Sequence, residues 1–323
     1  MPITYGSQPN AQASEVAFSI YTSVDSAFYD VEYPEYDWVK VLERDQIKTD
    51  IDAGAINYQY ISRDTQGSAG FMGAGPSDNI PMVAQSIGSG IFPLAASAIG
   101  AEITNEDARR YKLGLNGDLA QDLGECMRKA CDNLVESSFF FGDASVGFRG
   151  FVNYSGITVT SAAATGAGNA TAWSTKTAEQ MVTDVNAAIT KVWTDSRSVH
   201  CPGVVYLPMA QFALLSNTPM SLGGTVLAQS AMEYLKANNT YTAVRGKELE
   251  VIAIRYLAGA GAAGADRMVV MDRNKRYQCL PFPMPYTLSQ PVPAPLAVKL
   301  FSEQKHGSFA VRYTGSMLYV DGI

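Results

Sequence analysis

Gly259, Gly261 and Gly264 give the spacing GxGxxG directly after an apolar run, the pattern that lets a backbone approach a pyrophosphate. That chemistry needs a helix to begin at the glycines, so that its N-terminal amides and dipole meet the phosphates. Here another apolar run, Arg267 to Met271, follows at once and reads as a strand, so the glycines are expected to form a surface turn. An NAD-dependent enzyme built on this region is therefore the weakest reading.

The other reactive side chains are few. The chain has two histidines, His200 and His306, both expected in surface turns, and four cysteines, Cys126, Cys131, Cys201 and Cys279, with no CxxC pair. That inventory does not suit a zinc site, and the cysteines are expected to be small apolar packers in a reducing compartment. Asp50 with Asp52, and Asp25 with Asp30, lie in polar stretches and read as solvent-facing charge. No GxSxG, HExxH or GxxxxGK[ST] motif occurs, so no catalytic residue, cofactor or metal is assigned. A net charge of -7 argues against a protein whose main task is gripping nucleic acid, and the dense basic run Arg273, Lys275, Arg276 reads as a solvated turn. No window resembles a membrane span or a signal peptide.

With no chemistry to position, the elements themselves become the subject. Thr104 to Phe141 reads as one long helix, N-capped by Thr104 and stopped by Gly142, which would span roughly 50 Å at 1.5 Å per residue. Leu115, Leu119, Leu123, Met127, Ala130, Leu134 and Ser138 make its apolar stripe, while Asp118, Asp122, Glu125, Lys129, Asp132 and Glu136 make its wet face. Gly114, Gly117 and Gly124 interrupt it at about 1 kcal/mol each and predict a kink in the first third.

Before that helix, residues 1–35 are polar with no sustained period, and the arm is expected to be ordered by neighbours, with Val16, Phe18 and Tyr21 as its contact candidates. Ile56, Tyr58 and Tyr60 alternate with Asn57, Gln59 and Ile61 as a strand that returns from Ile80 onward, around a Gly- and Ser-rich tip. Such a two-stranded ribbon cannot hide its faces alone and predicts a partner. After the helix, a glycine-punctuated junction leads to a capping box at Thr177 and Gln180, opening a helix through Met181, Val185, Ala188, Ile189 and Val192. Strands are expected at Val204 to Leu207, Leu249 to Ile254 and Arg267 to Met271, and helices at Met209 to Leu215 and Thr225 to Ala237. Two closing strands, Leu296 to Phe301 and Phe309 to Tyr319, are expected to pair back near the long helix.

This order of parts, with the tip DTQGSAG, the helix running into FFFGDASVGFRGFVN and the closing FAVRYTGSMLYVDGI, resembles the major capsid proteins of tailed bacteriophages, whose Hong Kong phage-type fold is shared with encapsulins. The resemblance implies an α+β fold with an N-terminal arm (1–35), a peripheral domain (36–54 and 96–176) holding a spine helix at about 104–141, and an extended loop (55–95). It also implies an axial domain (177–272) and a return to the peripheral sheet (273–323). It implies pentamers and hexamers closing an icosahedral head around double-stranded DNA, without sequence-specific binding and without a membrane. The location implied is the virion, after assembly in the bacterial cytoplasm. Implied partners are copies of the chain itself, a portal and a decoration protein. Because the chain opens almost at the arm, the scaffolding protein is expected to be a separate chain. An encapsulin-like compartment is the alternative reading. At the loop tip, Phe71 and Met72 are the apolar candidates for contact with a neighbour, and Arg63 and Asp64 are the charged ones.

Overall fold

The computed structural model describes residues 35–67, 83–115, 119–223 and 225–323; the chain divides into units 1–35 and 36–323, and the elements below belong to the second. A short helix α1 (Trp38–Val41) and strand β1 (Ile47–Lys48) precede a ribbon of β2 (Asn57–Gln66) and β3 (Ala84–Thr104). Helices α2 (Asn105–Leu115) and α3 (Leu119–Phe141) follow, then a hairpin of β4 (Gly142–Asp143) and β5 (Phe148–Arg149), and β6 (Thr158–Ser161). An α/β stretch continues through α4 (Ala178–Asp195), β7 (Val204–Leu207), α5 (Met209–Asn217), β8 (Pro219–Leu222), β9 (Thr225–Ser230), α6 (Ala231–Ala237) and α7 (Thr240–Arg245). It closes with β10 (Glu250–Ala253) and β11 (Arg267–Met271). The C-terminal part holds β12 (Gln278–Pro281), β13 (Met284–Leu288), β14 (Val292–Ala294), β15 (Ala297–Gly307), β16 (Ala310–Val311) and β17 (Met317–Asp321).

The expected strands β7 and β11 lie inside a five-stranded sheet, β10-β7-β11-β17-β6, and every residue of β7, β11 and β17 is buried. Strand alternation sends their side chains into two cores. Val205, Leu207, Met268, Val270, Leu318 and Val320 meet Met181, Val185 and Ile189 of α4 on one face. On the other face Tyr206, Val269, Met271 and Tyr319 meet Phe139, Phe140, Phe151 and Phe309. Sheet strands covered on both sides read as continuous apolar runs, which is why these were recognisable. The sheet also takes β6 and β17 from outside 177–272, so the last strand joins the α/β sheet, where its Tyr319 shares a core with Phe139 and Phe140 of α3.

The second large sheet, β13-β15-β3-β2, is organised by β3. Its first half pairs with β2, from Ala84 opposite Gln66 to Pro93 opposite Asn57; its second half pairs with β15, from Leu94 opposite Gly307 to Thr104 opposite Ala297. One strand thus belongs both to the body and to the ribbon that leaves it.

Two expectations about helices are corrected. The expected rod is described as helix on both sides of residues 116–118, which lie outside the described set, as α2 and α3; Thr104 caps the first through its hydroxyl, 3.1 Å from the Asp107 amide. Along α3 the buried residues are Met127, Cys131, Val135, Glu136, Ser138, Phe139 and Phe140, so the stripe runs beside the expected one: Ala130 and Leu134 are exposed and Glu136 is buried. Gly142 ends α3 at φ +75°, and a Cβ there would lie 2.5 Å from the Phe148 carbonyl oxygen. The expected helix from Thr225 to Ala237 is instead β9 followed by α6. Ser230 caps α6 and shares a capping box with Glu233, while Thr225 and Val226 pair with β8.

Candidate assembly surface

At the base of the ribbon, Tyr58 and Tyr60 of β2 stack against Phe92 of β3 with ring centroids 6.4 and 5.8 Å apart. Gly90 permits this, because a Cβ there would sit 2.1 Å from the Tyr60 ring. Residues directly paired across antiparallel strands share a face, so Ser62 with Gly88 and Asp64 with Ser86 continue this face outward, with no large apolar side chain. The opposite face carries Ile61, Ile87 and Ile91, exposed at 72%, 68% and 61%. Ile56 and Val83 at the ribbon's two ends are exposed as well. These isoleucines form an apolar row on one face of a ten-residue ladder that the described residues of the chain leave uncovered.

Arg63 and Asp64 are exposed and, as successive strand residues, lie on opposite faces of the ribbon; Arg63 shares the isoleucine face. Val16, Phe18, Tyr21, Phe71 and Met72 lie outside the described residues.

The segment leaving the arm is tied down by a buried ionic cluster that sequence patterning placed on a wet face. Glu136 accepts from the amides of Asp37 and Trp38 at 2.9 and 3.2 Å and from Arg255 Nη2 at 2.8 Å, while Asp37 Oδ2 lies 3.5 Å from Arg255 Nε. Residues from three distant parts of the sequence meet there, which is why no local period revealed it. A second buried pair joins Arg267 to Asp321 through two bonds of 2.6 and 2.8 Å, and the Ala262 amide donates to the same carboxylate. Although burial opposes it, the Arg267 hydrogen bonds and the Ala262 amide hold the Asp321 carboxyl below its ordinary range. Gly259, Gly261 and Gly264 form the turn above this pair, with Gly261 N donating to Ala265 O; no helix of the kind a dinucleotide needs begins there.

The histidines are not surface residues. His306 is 3% exposed in β15, with Nε2 2.9 Å from the Ser138 hydroxyl, and burial lowers its pKa to about 4. His200 is buried against Tyr277, and burial lowers its pKa against the opposing pull of Asp272, 3.8 Å away. Asp272 is itself pushed up by burial. Arg273 is also no solvated turn residue: its side chain is 11% exposed and bonds Glu43 at 3.0 Å and Glu250 at 2.5 Å. Cys126 is exposed, whereas Cys131, Cys201 and Cys279 are buried and free. Among the described residues no group of His, Cys, Asp and Glu is arranged to hold a metal ion, and no helix is long and apolar enough to cross a membrane.

The family model of the major capsid protein matches residues 67–323. The chain belongs to that family. This capsid protein is a structural component of a virion, not an enzyme. Among solved structures it is similar to the capsid of Myoviridae phage XM1, at a TM-score of 0.75 and 14% identity, over 99% of this chain and 100% of that one. It is also similar to the Gordonia phage Cozz structure (TM-score 0.59, 12% identity, 99% and 97% covered). The capsid of an empty GTA particle is a third (TM-score 0.57, 12% identity, 98% and 99% covered). At such identities the likeness is one of fold, and it establishes the Hong Kong phage-type capsid fold for this chain. No curated protein sequence matches it.

Proposed function

We propose that this capsid protein forms pentamers and hexamers that close an icosahedral head around double-stranded DNA, with the 55–95 ribbon laid over a neighbouring subunit. The observation that carries the reading is the isoleucine face of the ribbon. Each such side chain would contribute roughly 1.5 to 3 kcal/mol on full burial, and the described residues of its own chain supply no cover. Arg63 on that face, with Phe71 and Met72 further along the loop, completes the proposed contact, and Asp64 serves the reverse face. Val16, Phe18 and Tyr21 are proposed as contacts of the arm. The domain limits given above are proposed on the same basis, with the axial domain around 177–272 facing the symmetry axes. A scaffolding protein, a portal and a decoration protein are the proposed further partners. An acidic chain suits a wall that must enclose DNA and later release it.

Electron microscopy of purified wild-type protein and of Ile87→Lys/Ile91→Lys tests this. The expected outcome is closed shells from the wild type, and from the variant folded subunits that fail to close. Normal shells from the variant would remove the ribbon from the interface.

A further inference from the structure

Lys48, Arg276 and Arg312 border a cleft of about 610 Å³ floored by Tyr58 and Tyr60 and walled by Tyr277 and Tyr313. Arg312 is held in place by neutral groups only: Nη1 donates to the carbonyls of Lys275 and Arg276 at 2.8 and 3.3 Å, and Nη2 to the Tyr58 hydroxyl at 2.6 Å and Cys279 Sγ at 3.1 Å. Its Nε is buried without a hydrogen-bond partner. Among the described residues neither Arg312 nor Arg276 has a carboxylate partner, and Lys48 has only the exposed Asp50 at 3.8 Å. A positioned, partly buried cation without a counter-charge is costly, and Arg312 is one, with the exposed Arg276 and the weakly paired Lys48 adding positive charge at the same cleft.

The chain itself contains the complementary piece. Residues 1–35 hold Glu15, Asp25, Asp30, Glu32 and Glu35 and no Lys or Arg, whereas all 24 Lys and Arg lie beyond them. Four of those carboxylates fall between Asp25 and Glu35, interleaved with Phe28, Tyr29 and Tyr33, so the segment matches the cleft in both charge and aromatic character. We propose that this cleft receives the acidic segment 25–35 of a neighbouring copy of the chain. The inference rests on the assembly reading above and adds to it a receptor site and the segment that fills it. The site lies beside the ribbon base, so arm docking and ribbon placement would be set by the same tyrosines.

Two experiments on the full chain test it. Arg276 is exposed and its side chain is not part of the core, so Lys48→Glu/Arg276→Glu should fold as the wild type does. Shell yield should fall about tenfold, the equivalent of about 1.4 kcal/mol, and return when Asp30→Lys/Glu32→Lys is added. Separately, Arg276→Cys chains mixed with Glu32→Cys chains and oxidised should give a reducible dimer containing one of each, in shells that hold no DNA; Glu15→Cys in place of Glu32→Cys serves as control. Shells of normal yield from the charge-reversed variant would overturn the proposal, as would failure of the arm reversal to restore them. So would failure of the Arg276→Cys and Glu32→Cys chains to form that dimer, a dimer equally abundant with the Glu15→Cys control, or dimers only when DNA fills the shell, which would assign the cations to phosphates. In each of those cases wild-type shells still form; their absence would instead defeat the assembly reading itself.

Discussion

His306 lies in the core with one ring nitrogen bonded to Ser138 and Nδ1 unpaired, so the folded protein holds it neutral down to about pH 4. In the unfolded chain it protonates near its ordinary value of 6.5. Between those values the unfolded state binds the extra proton, so this residue's contribution is complete above pH 6.5 and is lost as pH falls towards 4, about 3 kcal/mol in all. Replacing it by asparagine should lower stability at pH 7 through lost contacts with Phe148 and Phe282, yet flatten the pH dependence. Melting of wild-type and His306→Asn subunits at pH 7 and 4.5 checks this; equal slopes would show that the histidine is not the acid-sensitive group. At Glu136, substitution by alanine strips two backbone amides and Arg255 of their shared acceptor. Breaking such a pair costs about 3 kcal/mol, at the low end because the Arg255 side chain is 26% exposed, and Glu136→Gln should cost less. Urea unfolding of the subunits measures both.

Among the elements, the ribbon sets the terms of cohesion between subunits. Between Lys48 and Lys112 the sequence has no lysine and no cysteine, so the loop can supply neither the lysine of an isopeptide bond nor a sulfur of a disulfide. Its hold on neighbours must come from side-chain burial and charge. Particles boiled in denaturing detergent are therefore expected to run as a single band near 34.7 kDa, and a ladder resistant to boiling and reductant would contradict this. Within the ribbon, Gly90→Val should displace the Tyr60 ring from Phe92, since even a Cβ would approach it to 2.1 Å. Loss of the corresponding near-ultraviolet tyrosine signal, with the α/β sheet intact, is the expected readout.

At the scale of the whole molecule, residues 36–323 make a unit of their own, with two cores on either side of one sheet and a ribbon built on a strand shared with the body. Deleting residues 1–30 is accordingly expected to leave the melting temperature of unassembled subunits unchanged while weakening shell formation, measured by calorimetry and sedimentation on one preparation. A substantial drop in melting temperature would place the arm in the core of its own chain.

What the sequence determined by itself was whatever depends on near neighbours. Thr177 and Gln180 announced α4 because a capping box closes within one turn, and the apolar runs of β7 and β11 announced a sheet covered on both faces. The ribbon was legible from alternation on both sides of a glycine-rich tip, and the GxGxxG turn was rejected from the strand that follows it. Tertiary structure decided the rest, because the deciding partners are far away in the chain. A helical period puts Leu134 on the apolar stripe and Glu136 on the wet face, yet Asp37 and Arg255 make Glu136 a core residue, and Leu134 is exposed. Thr225 to Ser230 became a strand because β8 offered it a ladder, which outweighs a weak helical pattern. The place of β17 between β11 and β6, and the burial of His306 within the ribbon-bearing sheet, likewise follow from contacts between residues far apart in the chain, to which no local period is sensitive.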